Sequence, residues 1–242
     1  DPGQNPLPPP EGVPPPAAAD HYDEDEGVDV SPKDRDPLSL SHLMTHYPFN
    51  KLCEICIRAN KRFRAHRRLK TAKEDKATKF GDLITMDFIS NHRDMLEGLH
   101  HETEALIVYD HYTGWLQIFP MTGRTGLQVA LCIHKFLGNL KCKLIYSDRA
   151  PELVEGAARW NIPHEKSLPG CPQNNGLIES CVGKVRRGTR ALLAASGLPE
   201  TFWPLAAMSF CFAYNQQRNK NGQSPWSLRK LEEYSGSHAP FG

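Results

Sequence analysis

The chain has 242 residues, 39% hydrophobic and 9% aromatic, with a formal net charge of +1, enough for one sizeable core and a small appendage. No apolar run approaches the roughly 20 residues a bilayer helix needs and no signal-peptide pattern opens the chain, so the expectation is a soluble intracellular protein without a membrane partner. Seven cysteines with one close pair, Cys53 and Cys56, argue against a secreted disulfide framework and for a reducing compartment.

Residues 1–37 hold ten of the twenty prolines and carry ten acidic against two basic groups. Too few large apolar side chains are present to offset the entropy of ordering, so this stretch is expected to be a disordered Pro-rich acidic tail with polyproline II character. The chain opens without methionine and stops at "HAPFG", so it is expected to be an excerpt of a longer polypeptide. Residues 38–60 contain His42 and His46, which share a helix face at i and i+4, and a Cys-x-x-Cys pair, Cys53 and Cys56. Two imidazoles and two thiolates make a tetrahedral zinc set, which makes this stretch a candidate zinc-binding module. Residues 61–79 form a basic linker that includes Arg64, Arg67, Arg68 and Lys70, interleaved with Phe63 and His66. Such clusters neutralise phosphates and make binding salt-dependent. A nuclear-localisation signal or a solvated linker helix has the same composition.

From residue 80 short apolar runs alternate with helical stretches. Strands are predicted at 82–89, 104–110, 115–121 and 142–148, with a further one over 162–167. Helices are predicted at 126–139, at 151–160 with Pro151 at a favoured first position, at 176–197 ended by Gly197, and as one amphipathic helix over 200–219. Three strands in meander, then helix, strand, helix, strand, helix, give an α/β fold: a mixed sheet flanked by helices.

Within this frame Asp87 interrupts the first strand and Asp148 ends the fourth, where α/β sheets tend to place ligand sites. Asp110 also ends a strand and leads into "HYTG", and a strand-terminal aspartate is commonly a turn residue. A carboxylate in the middle of "LITMDFI" has to be satisfied by something, and a metal is one option. Glu179 opens a helix behind "PQNNG", where it can complement the helix dipole or serve as a ligand. Arg186 and Arg190 fall within about 20° of Glu179 around that helix, while Ile178, Val182, Val185 and Leu193 form an adjacent apolar stripe. This edge is suited to phosphate, or is simply a solvated basic edge.

"LITMDFI", "LIYSDRAPEL" and "PGCPQNNGLIES" resemble the three catalytic blocks of retroelement integrases, especially those of copia-type retrotransposons. The resemblance implies a ribonuclease H-like catalytic core over residues 80–242, with Asp87, Asp148 and Glu179 as the carboxylates that bind Mg2+ or Mn2+. It implies a polynucleotidyl transferase and endonuclease that processes the 3′ ends of element DNA and joins them to target DNA. It further implies a homo-oligomer acting in the nucleus. "LCEICIRANK" resembles the second half of the family's amino-terminal zinc domain. Only six residues separate His46 from Cys53, fewer than the family uses, so either the Zn2+ site is compressed or only its cysteine half survives. Arg149 and Ala150 replace an asparagine–glycine pair common after the second aspartate, and Ser180 stands where an arginine is frequent. The alternative is therefore a catalytically decayed or domesticated relative that binds nucleic acid.

Overall fold

A computed structural model describes residues 36–59, 77–90, 97–166, 176–219 and 221–242. The acidic tail up to residue 35 lies outside the described residues, as does the basic run with Arg64, Arg67, Arg68 and Lys70. The elements are α1 (Leu40–Thr45), α2 (Glu54–Ala59), β1 (Ile84–Ser90), β2 (Glu104–Asp110), β3 (Leu116–Met121), α3 (Gly126–Leu137), β4 (Ile145–Ser147), α4 (Pro151–Ala158), β5 (His164–Lys166), α5 (Gly176–Ser196), α6 (Trp203–Tyr214) and α7 (Pro225–Lys230). No helix of the described residues is long and apolar enough to cross a membrane.

The sheet has the order β3-β2-β1-β4-β5. β1, β2 and β3 pair antiparallel, while β4 joins β1 and β5 joins β4 in parallel, so the expected α/β mixed sheet flanked by helices is borne out. Both faces are covered, which explains why "EALIVYD" reads as a continuous apolar run. Alternation along β2 sends Leu106 and Val108 into a core with Phe136, Val129 and Leu153, and Ala105 and Ile107 into a second core with Ile178, Val185 and Phe210. Each large side chain so buried contributes about 1.5–3 kcal/mol. The second core depends on Gly188: a Cβ there would meet the Phe210 ring at 2.0 Å, so only glycine lets α5 and α6 approach this closely.

The predicted strands 142–148 and 162–167 are shorter in the structure, three residues each. The predicted amphipathic helix over 200–219 is corrected on two counts. It is a 3-10 turn over Glu200–Phe202 followed by α6, because Pro204 is tolerated only in the first helical turn. It is also apolar on both sides, with Phe210 and Cys211 buried and Leu205, Met208 and Phe212 exposed. Helix α7, absent from the sequence reading, starts at a Ser224 capping box. Its Arg229 lies over the rings of Phe80 and Trp115 at 4.3 Å each and donates to the Phe136 carbonyl, pinning α7 to the first core.

Asp110 is a structural residue, as its turn context suggests. It is fully buried, accepting from the Gly81 N–H at 2.8 Å on one oxygen and from the Thr113 N–H and hydroxyl at 2.8 and 2.7 Å on the other. This ties the end of β2 to the loop entering β1. An amide in its place must point its NH2 at a donor, so Asp110→Asn is expected to lower stability by about 1–3 kcal/mol. Chemical denaturation followed by circular dichroism checks this, and an unchanged midpoint would show that the carboxylate charge is dispensable here.

Candidate functional site

Parallel pairing of β1 with β4 sets the site. The rungs Ile84↔Ile145, Thr85↔Tyr146 and Met86↔Ser147 place Asp148, the next residue, beside Asp87 at the point where the ladder ends. Asp87 lies on the same face of β1 as Ile89 and therefore on the side of α5 and α6. Helix α5 packs against β1 and β2 and carries the half-buried Glu179 in its first turn.

Asp87 senses the other two carboxylates. Burial pushes the Asp87 carboxyl up to about 7, Asp148 adds to the shift, and Glu179 adds further. The Phe88 N–H, which donates to Asp87 Oδ1 at 2.7 Å, and the Arg124 guanidinium oppose it. A group held this far above its ordinary value by burial, with carboxylate neighbours adding to it, needs either a proton or a cation. Asp148 is oriented separately, its Oδ1 accepting from the Ala150 N–H at 3.0 Å at the entry to α4. Oxygen-only donors from two strands and a helix suit a hard divalent cation such as Mg2+. Asp148 and Glu179 thus both act electrostatically on Asp87, although among the described residues only the His/Cys cluster brings metal-ligating atoms within 4.8 Å of one another.

Arg186 and Arg190 follow Glu179 along α5, joined by a contact of 3.4 Å from Arg190 Nε to the Arg186 carbonyl. Arg124 escaped the sequence reading. Its Nε and Nη2 both donate to Glu104 Oε2, at 2.9 and 2.8 Å, and its guanidinium covers the Phe88 ring at 4.6 Å. No periodicity marks a loop arginine of this kind, and only the pairing of β3 with β2 and of β2 with β1 brings it to Glu104 and Phe88.

The second cluster is His42, His46, Cys53 and Cys56, all buried, with one ligand atom from each within 4.8 Å of the others. Cys53 Sγ lies 3.4 Å from His46 Nδ1, and Cys56 Sγ lies 3.5 Å from His42 Nε2 and 3.9 Å from His46 Nδ1. Corners of a tetrahedron with Zn–S of about 2.3 Å and Zn–N of about 2.0–2.1 Å are about 3.3–3.8 Å apart, so the four donors fit zinc. The local chain makes this compact. Ser39 caps α1, and His46 stops it in a left-handed conformation at φ 51°. Asn50 then accepts from the Leu52 N–H at 2.8 Å and turns the chain into α2, so six intervening residues suffice. Burial lowers the proton affinity of His42, and burial together with His42 brings His46 down to about 4, leaving both imidazoles in the neutral, ligating form. The Cys56 thiol is pushed up to about 12 by burial, so its thiolate requires a cation.

No family model matches the chain. It is 32% identical over 81 residues, 31% of its length, to the retrovirus-related Pol polyprotein from transposon TNT 1-94 of Nicotiana tabacum. It is 27% identical over 108 residues, 42% of its length, to the corresponding polyproteins from transposons RE2 and RE1 of Arabidopsis thaliana. It spans only 6% of the tobacco polyprotein and 7% of each of the other two. Among solved structures, a chain of the simian T-cell lymphotropic virus intasome in complex with PP2A regulatory subunit B56 gamma shares the fold, with a TM-score of 0.53 at 13% identity over 72% of this chain and 63% of that one. The catalytic core domain of BIV integrase aligns with a TM-score of 0.47 at 18% identity, over 62% of this chain and 95% of that domain. The resemblance to retroelement integrases carried by the three sequence blocks is borne out in sequence and in fold.

Proposed function

We propose that this chain, kin to retrotransposon Pol polyproteins, is the catalytic part of an integrase that processes the 3′ ends of element DNA and joins them to target DNA. The observation that supports the reading is the β1–β4 ladder that sets Asp148 beside Asp87, with Asp148 and Glu179 both raising the proton affinity of Asp87. Asp87, Asp148 and Glu179 would hold Mg2+ or Mn2+, which supplies activation of the attacking hydroxyl and stabilisation of the leaving oxygen at a phosphodiester. The chain's own part is placement: the Phe88 N–H fixes one oxygen of Asp87, the Ala150 N–H fixes one of Asp148, and α5, which carries Glu179, packs on β1. Arg186 and Arg190 on the same helix edge suit the flanking phosphates. His42, His46, Cys53 and Cys56 would hold Zn2+, joining α1 to α2. The partners are then element and target DNA and further copies of the chain, with action in the nucleus.

A strand-transfer assay with matched terminal DNA tests the activity. Joining that requires Mg2+ or Mn2+ supports it. A wild type that binds DNA but never cuts or joins would instead identify the decayed relative.

The basic run contributes through phosphates. Neutralising Arg64, Arg67, Arg68 and Lys70 together is expected to weaken binding to all DNA sequences alike, lowering the slope of log affinity against log salt by about 3–4. Fluorescence anisotropy across a salt series checks this, and an unchanged slope would assign the run to transport or solvation.

A further inference from the structure

The His/Cys segment rests on the helix that carries Glu179. α2 packs on α5, and α1 packs on both α5 and α6. Gln217, just past α6, donates from Nε2 to the Thr45 hydroxyl at 2.6 Å and to the Tyr47 carbonyl at 3.1 Å. The residue between those two acceptors is His46, one of the four clustered ligands. The Tyr47 ring meets the Tyr214 ring edge-on at 5.7 Å, and the Lys184 ammonium of α5 lies 5.8 Å from it. Between segment and core is a water-sized cavity of about 20 Å³, lined by His46, Cys56, Lys184, Arg187, Gly188 and Phe210 among others. Ligands of the tetrahedral cluster and residues of α5 therefore border the same space. A helix rises about 1.5 Å per residue, so Lys184 is only about 7–8 Å along the α5 axis from Glu179. Because Gly188 lets Phe210 seat directly against α5, α5 and α6 form one layer, and the segment spans both.

We propose that the His/Cys segment braces α5 from within the same chain, so that an intact tetrahedral site sets the position of Glu179 and hence the affinity of the carboxylate site for its divalent cation. Tyr47 and Gln217 are the positioning residues. The coupling is reciprocal: whatever tightens one site tightens the other, because both bias the same helix. The inference rests on the zinc and carboxylate readings above but adds a link that neither requires.

The test uses the full chain and compares wild type with Gln217→Ala, Tyr47→Ala and the double variant, none of which removes a ligand. Zinc content is measured by mass spectrometry, Mn2+ affinity by electron paramagnetic resonance without DNA, and amide exchange over residues 180–191 by hydrogen–deuterium mass spectrometry. The expected result is about one zinc per chain in every protein. Mn2+ binding should be about 3- to 10-fold weaker in the variants, a coupling of ordinary size, and α5 should exchange faster. A merely structural contact would lower the melting midpoint and leave Mn2+ affinity unchanged, and that outcome overturns the proposal. A wild type without zinc overturns it together with the zinc reading, and a wild type that binds zinc but no Mn2+ overturns it together with the carboxylate reading.

Discussion

Glu179→Gln is expected to leave folding and DNA binding nearly intact while reducing metal-dependent cleavage and strand transfer by at least about 10³-fold, the scale on which removing one member of a catalytic unit acts. The amide keeps the shape of the side chain but lacks the charge that holds the ion. Asp87→Asn and Asp148→Asn should give the same loss, and combining them should add little, since the three act as one unit. Asp87→Asn carries a second signature. The Asp87 carboxyl is raised from 3.8 to about 7, so between about pH 4 and 7 the folded chain holds a proton that the unfolded chain has released. Stability of the metal-free protein therefore falls as pH rises through that window, and Asp87→Asn removes the fall. At pH 8 the variant should be more stable than wild type by as much as about 4 kcal/mol, each of the roughly three units of raised proton affinity being worth about 1.4 kcal/mol. Strand-transfer assays and denaturation curves at pH 5 and pH 8 measure both effects. Equal joining by Glu179→Gln and wild type would sink the assignment. Asp110→Asn is unsuitable as a silent control because that carboxylate is a buried hub of backbone bonds. The exposed Glu232, just past α7, is a better one.

Stripping zinc, or replacing Cys56 with serine, is expected to unfold residues 38–59. These 22 residues include few buried apolar side chains, Met44 and the two cysteines among them, and a segment this short cannot order itself by burial alone. Structural zinc supplies about 10–16 kcal/mol of binding free energy in comparable small sites at pH 7. Mass spectrometry of the wild type should find about one zinc per chain, as expected for a single His2Cys2 site. Cys56→Ser should find almost none, and protease should cut the segment in the variant while sparing the core. Protection of residues 38–59 that persists in zinc-free protein would show that packing alone holds them. Affinity should also fall at low pH, because His42 and His46 must be neutral and both thiols deprotonated to ligate.

Much of this chain is legible locally. Strand-length apolar runs and the 3.6-residue period of "GLQVALCIHKFL" specify which windows become β1 to β3, α3 and α5, since these patterns reflect geometry within a few residues. The apolar stripe predicted on α5 is the face that is buried, with Ile178 and Val185 in the core. Asp87, Asp148, Glu179 and the four His/Cys residues stood out by residue type and position. Sequence separated Asp87 from Asp110 by the turn that follows Asp110, but it did not show what satisfies either carboxylate. Asp110 is satisfied by three donors from the neighbouring turn and loop, whereas Asp87 faces other carboxylates, and that difference resides in the partners.

What tertiary structure alone decided is everything that depends on segments distant in the chain. The rung Met86↔Ser147 brings Asp148 to Asp87 across about sixty residues, and no local window contains both. The proton affinity of Asp87 comes chiefly from burial, which exists only once α5 has packed on β1. Closure of the His/Cys cluster over six intervening residues follows from the left-handed stop at His46 and the Asn50 turn, a conformation sequence pattern leaves open. Asn215 satisfies the edge strand β3 through bonds of 2.9 and 2.8 Å to Leu116, a contact ninety-nine residues apart. Propensity and periodicity are properties of neighbours in sequence, so the sequence by itself determined the elements and the chemical inventory. Register, desolvation and convergence of charge are properties of neighbours in space, and packing of the two cores selected them.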